Sequence, residues 1–169
     1  MDVAELLTDG FDRVREEVHA AVADLDADAL AARVDAGSNS IAWLIWHLTR
    51  VQDDHVAEVA GREQVWTESG WADRFGLPLP DDATGYAATS EDVAAVRPAS
   101  PDLLTGYHDA VHARTIAYAR SLSAADLDRV VDENWTPAVT LGVRLVSVLS
   151  DDLQHVGQAA FVRGVVLRR

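Results

Sequence analysis

The sequence predicts an all-α fold: a four-helix bundle with a long connection between its second and third helices. Three observations carry that reading. Four long segments repeat apolar residues at alternating steps of three and four, the period of an amphipathic helix. No segment alternates convincingly with a period of two, and no internal repeat stands out. Most of the Pro and Gly between helices falls in one stretch, residues 62–100.

The first helix is expected at roughly residues 3–24, with Val3, Leu7, Phe11, Val14, Val18, Val22 and Leu25 along its face. The second is expected at roughly 39–60. Ser38, Asn39 and Ser40 are its candidate caps, and Gly61 its terminator. Its stripe runs Ile41, Leu44, Ile45, Leu48, Gln52, His55, Val56, Val59. The third starts at Pro101, suited to a first turn, and runs to about Leu122 through Leu104, Tyr107, Val111, Thr115 and Tyr118. The fourth runs from about Thr140 to Val162, with Leu141, Leu145, Val148 and Leu149 inward. The connection 62–100 is read as holding one short helix, at about 90–96, capped by Ser90. Four amphipathic helices with one long crossover argue for a single domain over 1–169.

Composition narrows the chemistry. There is no cysteine, so disulfides, thiolate metal sites and a cysteine nucleophile are excluded. Any metal must be held by His, Asp or Glu, which suits zinc, nickel, iron or manganese. The net charge is −14, and the basic residues, all arginine, form no clustered stripe. Such a field repels phosphate backbones, so no nucleic-acid partner is expected. No stretch approaches the roughly 18 apolar residues of a membrane span. The opening Met1-Asp2-Val3-Ala4-Glu5 is acidic where a signal peptide would be basic, so a cytoplasmic location is expected.

Candidate ligands lie on two helices. Asp151 and His155 are four apart, hence on one helical face, and Val148 and Val162 turn that face partly inward. A carboxylate placed there needs a partner, and a metal ion accepts both a carboxylate and an imidazole. By spacing alone Asp152 can take the place of Asp151. His47 lies in Trp43-Leu44-Ile45-Trp46-His47-Leu48, the most apolar part of the second helix. Three protein ligands leave a coordination position for water or substrate, as in catalytic sites. The rival set is His108 and His112, also four apart, read as a solvated flank. His19 reads as surface.

Around the ligands, Trp43 and Trp46 are candidate pocket walls, and Gln158 is placed to bond His155 from behind. His55 is read as core edge or outer shell, and Arg144 as a partner for a ligand carboxylate or a surface group. Trp66, Trp71 and Phe75 are expected to carry residues 62–80 partly over the site. Trp135-Thr136-Pro137 is expected to anchor its loop by packing.

The run Asn39-Ser40-Ile41-Ala42-Trp43-Leu44-Ile45-Trp46-His47-Leu48, followed about a hundred residues later by Asp151-x-x-x-His155-x-Gly157-Gln158, resembles the DinB-like superfamily. It is most similar to the branch that includes mycothiol-dependent maleylpyruvate isomerase and related thiol transferases. The resemblance covers essentially the whole chain. It implies a four-helix bundle, frequent homodimers and a zinc or nickel ion, with His47 and His155 on the two most specific ligand positions. Asp151 falls where that family has His or Glu. A thiol would have to come from a cosubstrate such as mycothiol, since the chain has none. The expected function is a metal-dependent transferase or isomerase acting on a small molecule, with hydrolysis as a variant. The competing expectation is a non-catalytic metal- or ligand-binding helical protein associated with stress.

Overall fold

The computed structural model describes residues 1–168 and is mostly helical. Among these residues there are eight α-helices, four long and four short, with one 3-10 helix and a two-stranded hairpin. The long ones are α1 (Val3–Val22), α3 (Ile41–Ala60), α7 (Pro101–Ala119) and α8 (Leu141–Val166). The short ones are α2 (Ala27–Ala31), α4 (Val65–Glu68), α5 (Trp71–Phe75) and α6 (Ser90–Ala95).

Local chemistry sets the helix ends. Asp2 and Glu5 form a reciprocal capping box on α1. Of the three candidate caps of α3, Ser40 takes the role, its hydroxyl accepting the Trp43 N–H. Gly61, at φ 63°, ends α3 with its N–H on the Ala57 and Glu58 carbonyls. Thr140 caps α8. The short helix near residue 90 is capped by Thr89, not Ser90. Thr89 and Asp92 satisfy each other's exposed groups, which leaves Ser90 as the first helical residue.

Helices α1 and α3 each pack on both α7 and α8. Cross-contacts fix the directions. His55 of α3 meets Arg144 of α8, while His47 meets His155, so the two helices are antiparallel. The first ten residues of α3 are all buried, because α7, α8 and the long connection surround them. No helix among the described residues is long and apolar enough to cross a membrane.

The connection is more structured than its composition suggests. Trp66 is 4% exposed and meets Trp46, Phe75 and Tyr107 at 6.4, 5.2 and 5.1 Å between centroids. Burying an aromatic ring of this size stabilises by about 2–3 kcal/mol. Asp53 of α3 accepts hydrogen bonds from the Val65 and Trp66 N–H groups and the Tyr107 hydroxyl, pinning the start of α4. Trp66 and Phe75 therefore belong to the core between α3 and α7, and do not cover the ligand residues. The chain before α8 also departs from expectation. Val130–Asp132 and Val139–Thr140 pair as an antiparallel hairpin, β1 and β2, after a 3-10 helix over Ala124–Asp128. Strands of three and two residues are too short to show a period.

Candidate metal centre

His47 is 7% exposed and held from two sides. The Trp43 indole stacks on its ring at 4.5 Å and 15°. The Thr84 carbonyl oxygen lies 2.6 Å from its Nδ1. A carbonyl only accepts, so Nδ1 carries the hydrogen and Nε2 keeps a free lone pair, the tautomer a metal ligand needs. Gly85 brings the strap this close. Its φ is 92°, and a Cβ there would fall 2.6 Å from His47 Nδ1. One turn along α3, the fully buried Arg50 donates from Nε to the Ala83 carbonyl at 3.0 Å. Residues 83–85 are thus clamped onto α3 at two points.

His155 comes from α8. Its Nδ1 lies 2.8 Å from the Asp151 backbone oxygen, the carbonyl one turn back, so its Nε2 is also free. Its ring meets that of His47 edge-on, 4.6 Å between centroids. Asp151 Oδ2 sits 3.3 Å from His155 Nδ1, yet it is buried and makes no hydrogen bond. One ligand atom each of His47, Asp151 and His155 lies within 4.8 Å of the others. Acceptor atoms gathered this closely repel each other unless a cation stands between them. Two neutral imidazoles and a carboxylate suit zinc, nickel or a similar divalent ion. The donor set and the orphaned Oδ2 therefore fit a metal.

The electrostatics of His47 and Asp151 favour the forms that bind a metal, whereas a metal at His155 must displace a proton. Burial lowers the His47 pKa and outweighs the Thr84 bond, which favours the neutral form. The Asp151 carboxylate raises His155 against the opposing effect of burial. Burial works to raise Asp151, but His155 beside it, with His47 and His55, holds the carboxyl below its usual value.

Helix rotation resolves the choice that spacing left open. Consecutive residues differ by about 100° around the axis. Asp151 therefore turns to His47 and His155, whereas Asp152 is wholly buried with neither oxygen hydrogen-bonded. Burial, and then the Asp151 charge, push the Asp152 carboxyl well above the normal carboxylate range. Trp43 stacks on His47 and Trp46 packs on Trp66, and both line a cavity on the far side of the strap. Gln158 is exposed, and no hydrogen bond joins it to His155 among the described residues, because position 158 rotates out to solvent. His55 and Arg144 bond each other beside Asp151 instead of binding the triad. Arg144 pairs with Glu58 and Asp132, not with Asp151.

The rival rings stay neighbours, 6.5 Å between centroids, but are engaged elsewhere. His108 is fully buried, not a solvated flank, and its Nδ1 bonds Thr49 at 3.1 Å; the half-buried His112 pairs with Asp12. His19 pairs with Asp109 and is partly exposed. Trp135 is 66% exposed and does not anchor its loop by burial in the core; it lines a cavity that Arg144 also lines. Sequence reasoning missed Thr84 and Gly85 altogether. A lone glycine in the connection was the visible signal, but its partner lies 38 residues away on α3.

A profile of the DinB superfamily matches residues 10–159. A crystal structure described as the conserved protein of locus from Enterococcus faecalis is similar over 100% of this chain and 99% of that one, with 32% identity and a TM-score of 0.93. None of the curated proteins compared matches this chain significantly.

Proposed function

We propose, for a chain that belongs to the DinB superfamily, that it is a metal-dependent enzyme whose ion is held by His47, Asp151 and His155. The reaction is transfer or isomerisation with a low-molecular-weight thiol, mycothiol being the example the sequence resemblance suggests. The long helices form a four-helix bundle and a single domain around that site. One observation carries the reading: three acceptor atoms from α3 and α8 converge within 4.8 Å, with both histidine Nδ1 atoms already committed to backbone carbonyls.

A divalent ion bound there would lower the pKa of a thiol or water, so that the nucleophilic anion forms near neutral pH. The rest falls to the chain. The strap at Thr84 and Gly85 holds His47 in one tautomer and one orientation. Trp43 closes the apolar side and excludes water from it. Asp151, with its side chain 33% exposed, faces the side from which a small molecule arrives. Zinc is the first expectation and nickel the second, because two imidazoles and one carboxylate suit both.

Metal analysis of protein purified without a histidine tag tests the first half, with about one ion per chain expected. A screen for consumption of small thiols in the presence of electrophiles tests the second. Stoichiometric metal with no thiol consumption and no hydrolysis supports the non-catalytic binding protein instead.

A further inference from the structure

Beside Asp151 lies a cavity of about 360 Å³ between α3, α8 and the β1–β2 hairpin, lined by His55, Arg144, Asp132, Trp135 and Val139 among others. Its polar groups are fixed by one contact. Arg144 Nη1 lies 3.1 Å from His55 Nδ1. A guanidinium has only donors, so Nδ1 must supply a lone pair. His55 is then the Nε2–H tautomer, and among the described residues no hydrogen bond engages that Nε2. The cavity wall thus carries a hydrogen-bond donor in a set orientation, two helical turns from His47.

Arg144 does not offer free charge. Its side chain is 11% exposed, and Glu58 and Asp132 both pair with it. Asp151, on the same cavity wall, adds a further carboxylate that no arginine among the described residues neutralises. An anionic ligand group would meet Asp132 and find the arginine already neutralised. The other wall is apolar: Val51, Val139, Val143 and the exposed Trp135 indole.

The geometry points to this cavity as the binding site for an uncharged carbonyl or hydroxyl compound with a flat apolar body. Its oxygen accepts from His55 Nε2–H and its body lies on Trp135. This deepens the reading of the metal centre, on which it rests, by naming the class of the molecule that meets the thiol.

The test uses the full chain and two probes of equal shape, benzamide and benzoate. Long-range nitrogen–proton spectra at pH 7 first report the His55 tautomer, expected as Nε2–H. A ring protonated on Nδ1 overturns the proposal. Benzamide is then expected to shift the His55 Nε2 and Trp135 indole signals, with and without zinc. In the zinc-free protein benzoate binds about tenfold more weakly, since its charge meets the carboxylates. His55→Leu and Trp135→Ala each weaken benzamide binding about tenfold, the loss expected for one hydrogen bond or one stacking surface, with zinc content unchanged. Because Trp135 is exposed, its variant folds even where His55→Leu does not. Benzamide that shifts neither signal, or binds the Trp135→Ala protein undiminished, overturns the assignment. Zinc absent while benzamide still binds this cavity sinks the metal reading and leaves the pocket standing.

Discussion

The Thr84 carbonyl oxygen stands 2.6 Å from Nδ1 of His47, so a backbone group of the long connection, not a side chain, sets the tautomer of a candidate metal ligand. No substitution of the Thr84 side chain removes that carbonyl. It is disturbed by moving the strap. Gly85→Ala does so, since φ 92° strains any residue with a Cβ, and that Cβ would lie 2.6 Å from the His47 ring. Zinc affinity, measured by competition with a chelating dye, is expected to fall about 10–100-fold with helical content unchanged. Undiminished affinity in the variant would show that the strap has no positioning role.

His47→Ala removes one of only three protein ligands. Metal content is expected to drop from about one ion per chain to near zero. Full occupancy in the variant would sink the assignment. His108 and His112 are no substitute, because one is in the core and the other is paired with Asp12.

His108 gives a pH signature. Burial first, then the His112 charge, lower its pKa from 6.5 to about 3. On acidification the unfolded chain takes up this proton and the folded chain does not. Stability is therefore complete above pH 6.5 and is lost between pH 6.5 and about 3. Against a His108→Leu variant, the wild type is expected to lose about 1.4 kcal/mol per pH unit in that window, approaching about 5 kcal/mol in all. Urea unfolding at several pH values measures the difference. Parallel pH profiles would refute it.

Asp53→Ala strands the buried Val65 and Trp66 N–H groups and leaves Arg50, 3.8 Å from the carboxylate, without its counter-charge. Burial itself raises the Asp53 pKa, and these hydrogen bonds oppose that rise. The variant is expected to lose about 3–5 kcal/mol in chemical denaturation. A loss below about 1 kcal/mol would mean that α4 does not depend on this carboxylate.

Duplex DNA is expected to bind no better than weakly at physiological salt, because the net charge is −14. Micromolar affinity in a fluorescence-anisotropy titration would contradict this.

The long helices and the candidate ligand types were legible in the sequence, since a 3.6-residue period, a cap such as Ser40 and a terminator such as Gly61 act within a few residues. The DinB-like resemblance, read from residues around His47 and His155, had the same local basis and agrees with the family match over residues 10–159. Tertiary structure decided what depends on rotation and distance. Asp151 rather than Asp152 meets the histidines because about 100° of helical turn separates them once α8 is seated on α3. His47 meets Thr84 across 37 residues and His55 meets Arg144 across 89, along chain paths that no local period encodes. His108, a polar residue that looked like a surface flank, went into the core because the packing of α7 placed it against Thr49. A short-range pattern specifies which face of a helix is apolar. Only the packing of all the helices together specifies which neighbour that face meets.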